Sequence, residues 1–393
     1  RMEESIQGAF VKEPLPGLYE NLVVFDFRSL YPTIISAHNI GPESFQCGCC
    51  HQFRVPELQE YWFCQREKKF IPSVLEHLIL RRVDLKRVIN ETKEQGKGTK
   101  FLEARSYALK ILANAFYGYL GFFGARWYNI DCARAITAYG RHHIKDVISK
   151  SQGAGFKVIY GDTDSLFVTL LGKHLSEVLD FVEKINADLP GIMGLEYEGT
   201  FKSGIFVATK GTESGAKKKY ALMDEKGNMK IRGFETVRRN LSIVAKETQE
   251  KVLNMALSGV EKKKILAFVK KVVQDMRERK IPIEKVVIKT QITRDLKSYS
   301  NVPPHVAIAM KMQERGQKVG QGTAIRYVVT EGKGVIRDRA KLPEDVKEGE
   351  YDAEYYLSHQ VIPGVERILE VIGVDVSELL TEHKQQKLGS FFG

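Results

Sequence analysis

The sequence has no apolar run near the roughly 18 residues that a membrane helix needs, which excludes a helical membrane span. Its N-terminus is charged and mixed, which argues against a secretory leader, so the expected location is cytoplasmic. There is no internal repeat and no low-complexity tract. Cysteine is sparse, with five in 393 residues. Four of them, Cys47, Cys49, Cys50 and Cys64, fall within 18 residues. With His51 they offer enough nitrogen and sulfur donors for a structural Zn²⁺, although the spacing fits no standard finger. A disulfide between Cys64 and Cys49 or Cys50, and a set of free thiols, are the alternatives.

What is present points to a partner of opposite charge. The chain carries 60 basic and 49 acidic residues, a net charge of +11, on a globular composition of 43% apolar and 28% charged residues. Such an excess suits a polyanion such as nucleic acid. The length allows two or three cores. Residues 21–27 read as a buried strand ending in Asp26, followed by a helix from Leu30 to about His38 with Pro32 in its first turn. Two long helical stretches, 72–94 and 101–120, join at a glycine-rich turn into a basic hairpin. Strands are expected at 156–160 and 165–171, and a further hairpin at 218–224 and 228–232. Helices return near 235–257, 261–276, 304–315 and 352–372. The fold class is α+β, a discontinuous sheet domain with an inserted helical hairpin and an appended, mostly helical region.

Two acidic clusters carry the chemistry. Asp26 closes VVFDF, and Asp162 and Asp164 flank the turn of KVIYGDTDSLFV. Three carboxylates raised on strand ends are hard donors for Mg²⁺, and two such ions can bridge the oxygens of a phosphoryl transfer. Lys110, Asn114 and Tyr117 are spaced i, i+4, i+7 on one helix face, and Arg82 and Lys86 lie four apart on the preceding helix. Together the two helices could clamp a triphosphate. Tyr31, at a helix start five residues after Asp26, could stack beneath a bound sugar. Taken singly, each pattern also suits an ordinary turn, a solvated helix face or a packed tyrosine.

Three motifs stand in order, DFRSLYP, KILANAFYG and YGDTDS, and together they resemble the polymerase motifs of B-family DNA polymerases of the archaeal replicative type. GAFVKEPLPGLYEN, KKKYALMD, KIRGFETVRRN, TQITRDL and YDAEYYLSHQVIPGVERIL extend the likeness along the chain. The resemblance implies a right-hand architecture: palm at 1–70 and 124–233, a fingers hairpin at 71–123, and a thumb at 234–376. It implies DNA-templated DNA synthesis in replication, with primer-template DNA and dNTPs as substrates and a nucleoid-associated location. Asp26 and Asp164 would be the metal ligands, with the carbonyl of Phe27, and Asp162 a secondary acidic group. Tyr31 would exclude ribonucleotides. Arg82, Lys86 and Lys110 would hold the triphosphate, Asn114 and Tyr117 would shape the nucleotide pocket, and Lys218, Lys219 and Tyr220 would contact the primer. The family usually carries a 3′–5′ exonuclease before the palm. The expectation is that this chain lacks it and that a separate chain could supply it. Some archaeal relatives also carry a cysteine pair after the fingers, where this sequence has Asn129 and Cys132.

The tail QQKLGSFFG is a separate signal. Gln385, Leu388, Phe391 and Phe392 fit Gln-x-x-aliphatic-x-x-aromatic-aromatic, which resembles the sliding-clamp-binding peptide of replication proteins. Within this tail, 377–393, a short 3₁₀ turn would set Leu388 and both rings on one side as an apolar plug.

Overall fold

A computed structural model describes residues 6–237 and 240–376. The tail residues Gln385, Leu388, Phe391 and Phe392 lie outside the described residues. The chain divides into two compact units near residue 200: one holds 21–200 with 6–14, the other 201–376 with 15–20. The expected palm–thumb boundary at 233–234 falls inside the second unit.

In the first unit the strands Val11–Lys12, Lys157–Asp162, Ser165–Thr169 and residues 21–27 of the strand Gly17–Phe27 lie side by side in that order, all antiparallel. The β-branched and aromatic run Leu22–Phe25 is fully buried, which fixes the register of its strand. The helix Leu30–Ala37 follows it, and the hairpin helices Phe70–Glu94 and Lys100–Gly121 come within a residue or two of their expected spans. A 24-residue helix, Ile130–Gly153, runs through the core. The sequence reading did not mark it, although Asn129 offered an N-cap signal at its start. Asn129 is its N-cap: the side chain accepts from the amides of Asp131 and Cys132, each at 3.0 Å. The helix Leu175–Asp188 and the strand Leu195–Ala208 were likewise unmarked. Between the first two helices a small two-stranded sheet, Arg54–Val55 with Leu58–Trp62, carries the cysteine-rich insert.

The second unit has its own core. The strands Gly215–Met223 and Met229–Arg232 pair as the expected hairpin, beside the last part of Leu195–Ala208. Helices Ile243–Leu257, Lys262–Arg277, Pro304–Glu314 and Ile362–Val371 contribute to one buried cluster. Three expectations are corrected here. The helix expected from 235 begins at Ile243, because Ser242 is extended (φ −65°, ψ 155°) and its amide donates to Gln360 Oε1. The helix expected over 352–372 is broken by a π segment, Leu357–Val361, just ahead of Pro363, which lacks the amide to continue an α ladder. The mostly helical region also contains a three-stranded antiparallel sheet of Ile288–Gln291, Ala324–Val329 and Ala340–Lys341.

Candidate active site

The site is built where strand ends meet. Asp26 pairs with Ser165 in the ladder, and the Phe27 amide donates to the carbonyl of Asp164 at 2.8 Å. The turn itself is tight: the Asp164 amide donates to the Asp162 carbonyl at 2.6 Å, and Thr163 adopts a left-handed conformation (φ 56°). This geometry brings Asp26 and Asp164, 138 positions apart in sequence, to one cleft of about 380 Å³. Asp162 stands on the strand side of the turn, where Thr163 Oγ1 donates to it at 3.2 Å, and is not among the cleft's lining residues.

The hairpin helices supply the opposite wall. Arg82, Lys86, Lys110 and Asn114 all line the cleft. Tyr31 lines it too, with its ring against Tyr117 at a centroid distance of 4.6 Å. Tyr117 thus serves as backing for Tyr31. Behind Tyr31 lies Gly140 of the buried helix, where a Cβ would sit 3.2 Å from Tyr31 Cε1. Burial, with Tyr117 and Asp164 nearby, pushes the Tyr31 phenol up to about 12.

Two charged lining residues, Arg28 and Glu196, escaped the sequence reading. Arg28 Nε donates to Glu196 Oε1 at 2.7 Å, and Lys86 Nζ donates to Glu196 Oε2 at 3.2 Å. Glu196 and Glu198 sit at i and i+2 on the strand Leu195–Ala208, and that alternation was the available signal. Burial alone would push the Glu196 carboxyl up, but the hydrogen bonds and charges of Arg28 and Lys86 outweigh it and hold it below its ordinary value.

The two walls of the cleft differ in their electrostatics. Burial, then the charges of Asp164, Glu198 and Glu196, push the Asp26 carboxyl up to about 7, against the pull of Lys110. Carboxylates crowded in this way are relieved by a bound metal ion, and hard oxygen donors of this kind suit Mg²⁺. On the other wall, burial lowers the Arg82 pKa, and its Nε is buried without a hydrogen-bond partner among the described residues. An orphaned guanidinium nitrogen beside a cleft is a ready donor to phosphate oxygen.

The remaining predicted residues lie elsewhere. Lys218, Lys219 and Tyr220 belong to the second unit, on the strand Gly215–Met223. Lys218 is exposed and left-handed (φ 62°), Lys219 pairs with Glu235 at 2.7 Å, and Tyr220 stacks on Phe206 at 5.7 Å. Gly233 lets the neighbouring strand close on Lys218: a Cβ there would stand 2.0 Å from the Lys218 carbonyl oxygen. The thiols of Cys47, Cys49, Cys50 and Cys64 gather in one group, all free, while His51 turns away to pack on Trp62 at 4.8 Å.

Comparison with known proteins identifies the family. The family description "DNA polymerase family B" matches residues 1–372. A DNA polymerase of Pyrococcus glycovorans is 44% identical, covering 98% of this chain and 50% of that protein. One from Thermococcus gorgonarius is 43% identical with the same coverage, 98% and 50%. The structure of the family B DNA polymerase from the hyperthermophilic archaeon Pyrobaculum calidifontis matches with a TM-score of 0.71 at 32% identity, over 95% of this chain and 48% of that one. The chain spans about half the length of these relatives. The α+β fold expected from the motifs is therefore that of a polymerase, and the chain belongs to DNA polymerase family B.

Proposed function

We propose that this chain carries the nucleotidyl-transfer centre of a DNA-templated DNA polymerase that extends a primer in replication. The observation that carries this reading is the convergence of Asp26 and Asp164 with Arg82, Lys86, Lys110 and Asn114 on a single cleft. The primer 3′-hydroxyl loses its proton, its oxygen bonds to the α-phosphorus of a dNTP, and the bond from that phosphorus to pyrophosphate breaks.

Asp26 and Asp164 are the carboxylates that would hold two Mg²⁺ ions, with the Phe27 carbonyl as a further oxygen donor and Asp162 as a secondary acidic group. When bound, Mg²⁺ supplies Lewis acidity to the 3′-hydroxyl and neutralises the departing pyrophosphate. Lys110 and Arg82 orient the triphosphate, and the orphaned Arg82 nitrogen gains its missing acceptor there. Lys86 already pairs with Glu196, so its part is to switch from that carboxylate to phosphate. Asn114 borders the nucleotide pocket. Tyr31, held from behind by Tyr117 and Gly140, fills the space that a ribose 2′-hydroxyl would need.

In this reading the fingers are the hairpin 71–123, the palm comprises 1–70 and 124–233, and the thumb is 234–376. Lys218, Lys219 and Tyr220 contact the primer strand, and the tail engages a sliding clamp. Such an enzyme works at the nucleoid, on primer-template DNA. Primer extension by the chain with Mg²⁺ is the test. Asp164→Ala is expected to abolish extension while leaving primer-template binding within severalfold. Strongly impaired binding would mean that Asp164 is structural, and extension at the unsubstituted rate would remove the proposed centre.

A further inference from the structure

The insert between the helices Leu30–Ala37 and Phe70–Glu94 holds four cysteines that the polymerase chemistry does not use. Their sulfurs all lie within 4.8 Å of one another. Cys49 Sγ is 3.7 Å from Cys47 Sγ, 3.6 Å from Cys50 Sγ and 3.9 Å from Cys64 Sγ. A disulfide requires sulfurs about 2.05 Å apart, and these separations are far beyond it. A tetrahedral ion with metal–sulfur bonds of about 2.3 Å sets its sulfurs about 3.8 Å apart, which these separations match. The grouping has room for one ion. A multi-iron cluster distributes its thiolates over several metal atoms and needs a wider cage.

The surroundings suit thiolates. The amide of Gln65 donates to Cys50 Sγ at 3.2 Å, and the amides of Arg66 and Glu67 hydrogen-bond to Cys64. Such amide–sulfur bonds spread the charge of a thiolate ligand and orient it. Arg66 and Lys69 lie close by in sequence, and the charge of Lys69 interacts with Cys64. Cys50 and Cys64 are buried, which keeps water from two of the four donors.

An ion would add a fastening to those the insert already has, the buried Val55 and Phe63. Its only regular structure is a strand pair, Arg54–Val55 with Leu58–Trp62, extended by a bridge between Phe45 and Phe63. A two-stranded ribbon alone is marginally stable in water, and a cross-link between its ends would hold this one in register. Three cysteines precede the ribbon and the fourth follows it, so one ion would pin its two ends together. That closure has a consequence for the neighbouring helices. Asn39 Nδ2 donates to the carbonyls of Cys64 at 2.6 Å and Glu67 at 2.8 Å, and Asn39 Oδ1 accepts from the Lys69 amide at 2.8 Å. The peptide carrying Cys64 is thereby tied both to the end of the helix that bears Tyr31 and to the start of the helix that bears Arg82.

We propose that Cys47, Cys49, Cys50 and Cys64 form a structural tetrathiolate Zn²⁺ site that closes the insert at the base of the helical hairpin. Elemental analysis of the full chain, purified without chelator, should give close to one zinc per chain. Titration with a mercurial should release that zinc to a metallochromic dye in step with four thiols. X-ray absorption should report a sulfur-only shell. Cys49→Ser should lose the zinc and the hydrogen-exchange protection of residues 54–64, whereas Cys132→Ser, which alters a cysteine outside the cluster, should retain both. An intact mass lighter by two hydrogens, four thiols that titrate freely with no metal present, or iron in place of zinc would each overturn the assignment. None of these readouts depends on polymerase activity.

Discussion

Glu196 Oε1 accepts the Nε–H of Arg28 at 2.7 Å, across 168 positions of sequence, and its other oxygen takes Lys86. One carboxylate thus restrains two cations on the wall of a cleft that is already rich in acidic groups. Glu196→Gln removes the charge that holds them. Both partners of the Arg28 pair are about a third exposed, so the expected loss of stability is modest, about 1 kcal/mol, read as a lower urea midpoint. The same change should raise the KM for dNTP severalfold, because Lys86 and Arg28 lose their fixed positions. A KM at the unsubstituted value would mean that the pair serves folding only.

Gly140 offers a second test. A methyl group there would stand 3.2 Å from the Tyr31 ring, tighter than ordinary packing, on a helix with little room to yield. Gly140→Ala should therefore displace Tyr31 and lower kcat/KM for dNTPs. Tyr31→Ala should by itself increase ribonucleotide use. In the double variant the Gly140→Ala penalty should vanish, because the ring it strikes is gone. Additive effects would place the two residues in separate roles.

The imidazoles of His38 and His143 meet at 3.0 Å between their Nε2 atoms, with the His38 ring stacked on Tyr139. Burial, then the neighbouring histidines His143 and His142, lower His38 to about 3. Burial, then His142, lowers His143 to about 4. An unfolded histidine takes a proton below about pH 6.5, and the folded pair resists it. The pair's contribution is fully present above about pH 6.5 and is lost as pH falls toward 4 and then 3. Between pH 7.5 and 5 the cost should be on the order of 2 kcal/mol for each histidine. In urea melts at those two pH values, His38→Asn with His143→Asn should flatten this part of the stability profile. An unaltered slope would assign it to carboxylates instead.

The C-terminal pattern is tested by deleting Phe391 and Phe392. Stimulation of long-product synthesis by a sliding clamp should disappear, while single-nucleotide addition stays unchanged. Equal loss of both would remove the clamp assignment.

Much of the cleft was legible because its chemistry is local in sequence. Asp26 ends an apolar strand run, Asp164 sits on a turn between two others, and Lys110 and Asn114 share a helix face by simple spacing. Glu196 was not legible, since a glutamate alternating on a strand is common and its partners come from distant segments. The four cysteines were visible as a group, but their sequence spacing left three states open, and only their mutual distances distinguish an ion from a disulfide. The helix expected from 235 was misjudged because a tertiary bond from the Ser242 amide to Gln360 accompanies its later start, and the local sign, a serine in the N-cap position, was passed over.

The helix Ile130–Gly153 acts as a shared axle. At Asp131 it accepts Tyr61 from the insert, at Arg141 it grips Glu57 of the same insert, and one residue earlier, at Gly140, it meets Tyr31. Because 140 and 141 are consecutive, a slip of this rod that loosened its hold on the insert would also unseat the tyrosine. If Tyr31 selects the sugar as proposed, that selection and the seating of the ribbon share one helix, and damage to the ribbon should first be noticed as careless choice of nucleotide.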